Sequence, residues 1–206
     1  MKTLLVTATH AEMEVLNGLP GVEHLVTGPG ILATAFALTR RIAEEKFDLI
    51  VNAGVAGAFD GEKLAVGDVV WISKDRVSDM GAEDGPVFRD IIEIGLVKPE
   101  EPPFHDGWIY GSVPAEISLP LGITGVTGIT VNTCHGEEQS ILKVVEKYQP
   151  DIETMETAAV FYVCTLLKVP FLCIRGISNR VERRNKSAWN IPLAMDAVRR
   201  TLVSML

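Results

Sequence analysis

The chain has few of the residues that build disulfide frameworks, metal sites or nucleic-acid surfaces. Its 206 residues include three cysteines and four histidines, and 27 acidic residues against 19 lysines and arginines give a formal net charge of −8. Cys134, Cys164 and Cys173 show no CxxC or metal-type spacing, so we expect reduced thiols in an apolar core and no metal site. A chain this acidic lacks the clustered cations that bind nucleic acid or an anionic membrane.

Long apolar segments and uninterrupted basic tracts are also missing. The amino terminus, MKTLLVTATHAEMEVL, has too few consecutive apolar residues for a secretion signal or a membrane span, so we expect a soluble, cytoplasmic protein. The only basic run, residues 180–186, contains a valine, a glutamate and an asparagine, which favours a solvated loop. Because 47% of the residues are apolar and only 22% are charged, we expect a single domain with a sizeable core over residues 1–206.

Short apolar strands alternate with amphipathic helices along the chain. The patterns predict helices near the carboxyl terminus and over residues 31–45 and 137–147, and strands over residues 3–7, 48–53, 67–73, 122–132 and 169–174. The turn at residues 66–68 indicates a connection without a helix, so we predict a three-layer α/β/α fold with a mixed central β-sheet. The residues expected on the buried side of the last helix are Leu193, Val198, Leu202 and Val203.

Residues 75–120 interrupt this alternation. They contain six of the eleven prolines and little periodicity, so we expect an excursion with one short helix over residues 88–94. The acidic segment at residues 79–83 is a candidate to face a binding site.

Two polar clusters lie in the segment 151–179, DIETMETAAVFYVCTLLKVPFLCIRGISN. Glu153, Met155 and Glu156 come directly before an apolar helix, where carboxylates are favoured by the helix dipole. The polar cluster RGISN, residues 175–179, follows a short apolar run that predicts a strand covered on both faces. Polar groups at the carboxyl edge of a sheet are typical of a ligand crevice in an α/β protein, so we expect a small-molecule site here.

Three charged residues at helix starts have simple structural interpretations. Glu12 and Glu14 begin a helix that follows the first strand, where a solvated glutamate is favoured by the helix dipole. His135 is tempting as a catalytic base. A lone histidine at a helix start more often caps the helix or lies at a polar surface, so we expect that role for His135.

A glycine pattern, Gly28-x-Gly30-x-x-Ala33, loosely resembles a dinucleotide fingerprint. Pro29 removes a backbone donor from this turn, and no acidic residue follows at the distance at which one would bind a ribose. A tight strand-to-helix turn explains the pattern, so the sequence indicates no cofactor.

Four motifs in order, NAGVAGAFD, LAVGDVV, TMETAAVFYVC and VPFLCIRGISN, resemble the purine nucleoside phosphorylase and nucleosidase superfamily. The resemblance covers nearly the whole chain and is closest to the methylthioadenosine/adenosylhomocysteine nucleosidase branch. It implies a nucleoside phosphorylase-like fold, a small-molecule purine nucleoside as substrate and hydrolysis of its N-glycosidic bond. It also implies at least a homodimer, because members of this family complete the pocket near a subunit contact.

The resemblance implies catalytic and ribose-binding roles for four residues. Glu12 falls on the glutamate that activates the hydrolytic water, and Arg175 falls on an arginine that helps to hold this water. Glu156 falls on the ribose-binding glutamate and Met155 on the methionine that packs against the sugar. These residue types suit the chemistry, because cleavage produces an oxocarbenium-like ribose that a nearby carboxylate stabilises.

Other positions are implied to border the ligand, and one departs from the family pattern. A serine that also holds the water in the adenine-type enzymes is replaced here by Val55. The remaining implied substrate-binding residues are Ala56, Gly57, Thr133, Cys134 and Ser178.

Asn179 is the most informative departure, because the adenine-type nucleosidases have an aspartate that protonates the purine N7 at this position. An asparagine is not a general acid, but its carbonyl accepts from N7–H and its amide donates to a 6-oxo group. The resemblance therefore implies a catalytic, base-reading role for Asn179 and favours hypoxanthine or guanine over adenine.

Two alternatives stay open on the sequence. A 6-oxopurine nucleoside phosphorylase would share Asn179, although the first arginine is Arg40 and a glutamate lies nearest the expected nucleophile, which favours water over phosphate. A non-catalytic nucleotide-binding module would use the Gly28-x-Gly30 turn and bind nucleotides without turnover.

Overall fold

The computed structural model describes residues 1–206 and contains ten strands, five α-helices and one short 3-10 helix at Lys186–Ala188. The helices are α1 (His10–Leu16), α2 (Ile31–Glu44), α3 (Glu138–Tyr148), α4 (Thr157–Leu167) and α5 (Ile191–Met205). The strands are β1 (Thr3–Thr7), β2 (Val22–Val26), β3 (Leu49–Ala58), β4 (Val69–Asp75), β5 (Gly81–Asp84), β6 (Val87–Asp90), β7 (Ile109–Tyr110), β8 (Thr124–Thr130), β9 (Ile152–Thr154) and β10 (Phe171–Arg180). None of the helices is long and apolar enough to span a membrane.

The main sheet has eight strands and is mixed, which confirms the predicted α/β fold. Its order is β10-β4-β8-β9-β3-β1-β2, with β7 paired to β4 and β10 also paired to β3. Strand β3 runs parallel to β1 and β10, whereas β9 runs antiparallel to β3 and β4 antiparallel to β10. Because β10 joins both β3 and β4, five strands close into a ring, a feature that the sequence did not predict.

Helices cover the sheet on both sides, and alternate residues of β1 contact different helices. Leu4 and Val6 belong to a buried cluster that includes residues of α2 and α4. Leu5 belongs to a second cluster that includes Leu16 of α1 and Val198 of α5. All five residues of β1 are buried. This is the burial that a continuous apolar strand requires, since both of its faces meet a helix layer.

Strands β3 and β10 continue five or six residues beyond their predicted ends. They are parallel partners from Phe171 opposite Ile50 to Arg180 opposite Ala58. The small and polar residues after the apolar runs therefore stay in the sheet, because the ladder satisfies their backbone N–H and C=O groups. As a consequence, the predicted site residues of both segments project from rigid strands.

Two local predictions were wrong. Residues 88–94 do not form a helix, because β5 and β6 pair antiparallel around the turn at Gly85 and Pro86. In α5, Val198 and Leu202 are buried as predicted, but Leu193 and Val203 are 41% and 60% exposed. The buried stripe of this helix, with helical spacing, leaves these two residues outside it. Its members are Ala194, Met195, Ala197, Val198, Thr201 and Leu202.

Candidate active site

A cavity of about 840 Å³ opens where β1, β3, β8, β9 and β10 end. This carboxyl edge of the sheet is where an α/β fold usually binds a ligand, and the volume suits a small molecule. The cavity is lined by nine of the ten residues predicted for the site: Glu12, Ala56, Gly57, Thr133, Cys134, Met155, Glu156, Ser178 and Asn179. The exception is Arg175, which is buried and does not line the cavity.

Glu12 is both a helix-capping residue and a cavity residue. Its Oε2 accepts from the N–H and the hydroxyl of Thr9, each at 3.0 Å, and the Thr9 hydroxyl accepts from the N–H of Glu12 in return. Its Oε1 lies against β3, where a Cβ on Gly54 would be only 2.8 Å away. Any residue larger than glycine at position 54 would push this carboxylate away from the sheet. Glu14 is exposed and does not line the cavity.

Glu156 precedes the first turn of α4 and is held by the glycine turn of residues 28–30. The N–H of Gly30 donates to its Oε1 at 2.8 Å. Burial raises the pKa of Glu156 and the charge of Glu12 adds to this, whereas the Gly30 N–H and the charge of Arg175 oppose it. Glu12, Glu156 and Arg175 are therefore within electrostatic reach of one another. The glycine turn therefore positions the carboxylate of Glu156 through a backbone N–H.

Arg175 is 2% exposed, and its terminal nitrogens already donate to the protein. One donates to the backbone oxygens of Asn52 and Ile174 at 3.1 and 2.9 Å. The other donates to the side-chain oxygen of Asn52 and, at 3.0 Å, to the hydroxyl of Thr157. The four terminal N–H groups of Arg175 are thus taken up by protein acceptors, and the predicted contact of Arg175 with the hydrolytic water stays a prediction.

Buried hydroxyl groups hold the first turn of α4 in place through hydrogen bonds. Thr157 accepts from Arg175 and from the hydroxyl of Thr154, at 2.9 Å. Thr130 accepts from the N–H of Ala158 at 2.8 Å and donates to Oδ1 of Asp75 at 2.7 Å. The backbone that carries Glu156 is therefore fixed by groups of β8, β9 and β10.

Ser178 and Asn179 lie at an irregularity in the pairing of β10 with β3. Ile177 pairs with Ala56 and Asn179 pairs with Gly57, so Ser178 is an extra residue between them. Such a bulge redirects the side chains beside it. The Ser178 hydroxyl donates to Oδ1 of Asn179 at 2.8 Å, and the Asn179 amide donates to the backbone oxygen of Arg180 at 2.9 Å. The bulge thus presents a neutral amide to the cavity.

Gly57 is the backbone against which Asn179 lies. A Cβ at this position would be 3.1 Å from Nδ2 of Asn179 and 2.9 Å from a methyl group of Val181. The same Cβ would be 3.7 Å from Cγ of Glu153. The side chains of Asn179 and Glu153 therefore approach the same point of β3.

His135 is the cavity residue whose role the sequence predicted wrongly. It is neither a helix cap nor a surface residue, because Glu137 caps α3 and the His135 side chain is only 15% exposed. Its Nδ1 lies 2.7 Å from Oε2 of Glu153, and its backbone N–H donates to both oxygens of that carboxylate. Glu153 is 6% exposed. The sequence shows that a histidine and a glutamate are present at these positions, but only the fold places the two residues side by side.

The wall of the cavity also includes charged residues that the sequence did not assign. Asp79, from the predicted acidic segment, accepts from the N–H and the amide of Asn132 at 2.7 and 3.0 Å. Arg180 and Arg184 line the cavity from the basic run.

Cys134 is exposed, unlike the buried Cys164 and Cys173, so its prediction as a core thiol was wrong.

The ring of strands, the two carboxylates near Arg175 and the amide at the bulge of β10 define an enzyme of the nucleoside phosphorylase and nucleosidase type. The chain belongs to the phosphorylase superfamily, whose family model matches residues 6–206. The resemblance predicted from the sequence motifs is therefore confirmed.

Individual relatives carry more specific names. A futalosine hydrolase of Thermus thermophilus is 25% identical over 98% of this chain and 94% of its own. A 5'-methylthioadenosine/S-adenosylhomocysteine nucleosidase of Colwellia psychrerythraea is 32% identical over 87% of this chain and 76% of its own. The solved structure of futalosine hydrolase from Helicobacter pylori has the same fold, with a TM-score of 0.76 at 15% identity over 99% of this chain and 96% of that one.

Proposed function

We propose that the chain is a futalosine hydrolase, which releases hypoxanthine from futalosine and leaves dehypoxanthine futalosine in menaquinone biosynthesis. The broader class is established: the chain is an N-glycosidic hydrolase of purine nucleosides, in keeping with its family and with the nucleosidases related to it. The more specific assignment is supported by the similarity to futalosine hydrolases and by the neutral amide of Asn179 in the cavity.

The observation that carries the proposal is the placement of two carboxylates near Arg175 and of a neutral amide at the bulge of β10. Glu12 and Glu156 lie together near the charge of Arg175, whereas Asn179 lies at the bulge of β10. Cleavage of the glycosidic bond leaves positive charge on the ribose, which the carboxylate of Glu156 stabilises through the ribose hydroxyls. Glu12 takes a proton from the water that attacks the ribose carbon.

Asn179 reads the leaving base in this proposal. Its carbonyl oxygen accepts from N7–H and its amide donates to O6 of a 6-oxopurine, after exchanging the contact to the backbone of Arg180. An ionised aspartate there would place two acceptors against O6, a mismatch that costs roughly 1 to 3 kcal/mol when buried.

Hydrolysis is favoured over phosphorolysis by the distribution of cations. The lysines and arginines that line the cavity are Arg180 and Arg184, and both come from the segment beyond Asn179. Arg175 is close to the carboxylates, but its terminal nitrogens are occupied by protein acceptors. A phosphate beside Glu12 and Glu156 would therefore meet two carboxylates without a free cation to bind it.

The test is an assay of free purine released from futalosine, inosine and methylthioadenosine, with and without phosphate. We expect the highest kcat/KM for futalosine and a rate that does not depend on phosphate. A rate that requires phosphate would establish a phosphorylase. Tight binding without purine release would establish the nucleotide-binding module, and a preference for methylthioadenosine would overturn the futalosine assignment.

A further inference from the structure

The site has a general base, Glu12, but no obvious general acid for the leaving purine. Asn179 carries no acidic proton, and its amide is neutral at any pH of interest. The Cys134 thiol lines the same part of the cavity, but burial raises its pKa and the charges of Glu153 and Glu156 raise it further. A thiol that holds its proton this tightly is a poor donor.

His135 and Glu153 form a paired acid–base group beside Asn179. Nδ1 of His135 lies 2.7 Å from the buried carboxylate, and His135 Nε2 makes no hydrogen bond within the protein. The ring is kept in place by the edge of Phe59, whose centroid lies 6.2 Å from that of His135. A carboxylate at Nδ1 fixes the ring orientation and leaves Nε2 as the ring nitrogen that faces the cavity.

The pair also lies near Asn179, where the purine is proposed to bind. In the sheet, Gly57 pairs with Glu153 on one side and with Asn179 on the other. The point where a Gly57 Cβ would lie is within 4 Å of both side chains. A purine that contacts Asn179 is therefore next to the histidine that Glu153 holds.

We propose that His135 is a further catalytic residue, the general acid that protonates the leaving purine, and that Glu153 is its positioning residue. This inference rests on the proposed function. As the C1′–N9 bond breaks, its electron pair moves into the purine and the Nε2 proton of His135 moves to the ring nitrogen N7. The N7–H formed in this way is the donor that the Asn179 carbonyl then accepts from. The oxygen of water forms the new bond to C1′, and its proton passes to Glu12. Proton exchange with solvent then restores protonated His135 and ionised Glu12.

The experiment compares futalosine with 7-methylfutalosine, whose cationic purine leaves without needing a proton. We expect His135→Gln to lower kcat/KM for futalosine by at least about a hundredfold but for 7-methylfutalosine by less than about threefold. Glu153→Gln should lower kcat/KM for futalosine in the same selective way, because its positioning role acts through His135. The matched control is His105→Gln, because His105 forms a similar pair with Glu100 that is exposed and outside the cavity.

Each result decides the matter. Equal losses on both substrates would show that His135 has a structural role only, and unchanged hydrolysis of futalosine would show that it is not the acid. Thermal midpoints and binding of hypoxanthine, measured on the same variants, identify any loss caused by misfolding. If the wild-type enzyme releases no purine from futalosine, the proposed function itself fails, which is a different outcome from either of these.

Discussion

At the scale of single residues, Glu12 combines a structural and a chemical position in one side chain. One oxygen closes the capping box with Thr9, and the other lies against Gly54 at the cavity. A capping glutamate is held in one rotamer by these bonds, so the oxygen that faces the cavity is oriented before substrate binds.

We predict that Glu12→Gln lowers kcat by at least about a hundredfold while folding and substrate binding persist, because glutamine still accepts from Thr9 but takes no proton from water. Steady-state kinetics and thermal unfolding measure the two properties. Glu14→Gln is the control two residues away and should be nearly silent. An essential Glu14 beside a dispensable Glu12 would mean that the assignment is shifted along α1.

Asn179 is the residue expected to select the base. We predict that Asn179→Asp lowers kcat/KM for 6-oxopurine nucleosides by about tenfold or more, with any gain confined to adenine nucleosides, whose amino group donates to a carboxylate. The ratio of the two kcat/KM values is the quantity to measure. Asn185→Asp, in the exposed loop after β10, should leave this ratio unchanged. An unchanged ratio in Asn179→Asp would show that this side chain does not read the base.

At the scale of elements, the site depends on how β4, β8 and α4 meet. Asp75 ends β4 and is fully buried, its Oδ1 accepts from Thr130, and its Oδ2 has no hydrogen-bond partner. Thr130 in turn accepts from the first turn of α4. A buried carboxylate with one unpaired oxygen is costly when charged, which gives the stability of this junction a dependence on pH.

The sign of this pH dependence follows from the raised pKa of Asp75. Burial raises the pKa of Asp75 to about 7, whereas a carboxyl group in the unfolded chain ionises near about 3.9. Between these values the folded protein binds more protons than the unfolded chain, so Asp75 makes the free energy of unfolding fall as the pH rises from about 4 to about 7 and then level off. The whole effect is about 4 kcal/mol at most.

We predict that Asp75→Asn removes this contribution, so that the thermal midpoint changes less between pH 5 and pH 8 than it does in the wild-type protein. Thermal unfolding over that pH range measures it. Glu83→Gln is the control, because Glu83 lies on the exposed strand β5. If the pH dependence of Asp75→Asn matched that of the wild type, the Asp75 carboxyl would not titrate with folding.

At the scale of the whole molecule, one face of the protein exposes large apolar side chains. Leu32 and Phe36 on α2 are 85% and 70% exposed, and Tyr162 and Leu166 on the neighbouring α4 are 44% and 45% exposed. Each pair is spaced by four residues, so both pairs form stripes on adjacent helices. Contiguous exposed apolar surface is typical of a contact between proteins.

We predict that this face is the contact of a homodimer, as the family resemblance implied. Light scattering should give a mass of about 45 kDa, twice the 22.4 kDa of one chain. Phe36→Glu should shift the mass toward the monomer, because a charge would be buried in the contact. Leu121→Glu is the control, since Leu121 is fully exposed in a loop. A wild-type monomer with full activity would refute both the dimer and a shared pocket.

The class of fold follows from the amino-acid sequence alone, and so do most of the site residues that were predicted to meet in the cavity. Continuous apolar runs such as β1 specify buried strands, because only a sheet covered on both faces accommodates them. The motif TMETAAVFYVC marked Met155 and Glu156, and RGISN marked Ser178 and Asn179, since polar side chains directly beside buried elements are hard to explain by packing alone. These signals lie within short segments of the sequence, so they can be recognised before the fold is known.

The hydrogen-bond partners of these residues depend on how the strands are arranged in the folded protein. Whether β3 and β10 end or continue depends on whether they pair with each other, and closure of the ring through β10 and β4 follows from contacts distant in sequence. The same is true of His135, which as a lone histidine resembles a surface residue but lies against Glu153, eighteen positions away, because β8 and β9 are neighbours. Periodicity reports which face of an element is buried, whereas a hydrogen bond between distant residues depends on strand order, and strand order is set by the fold.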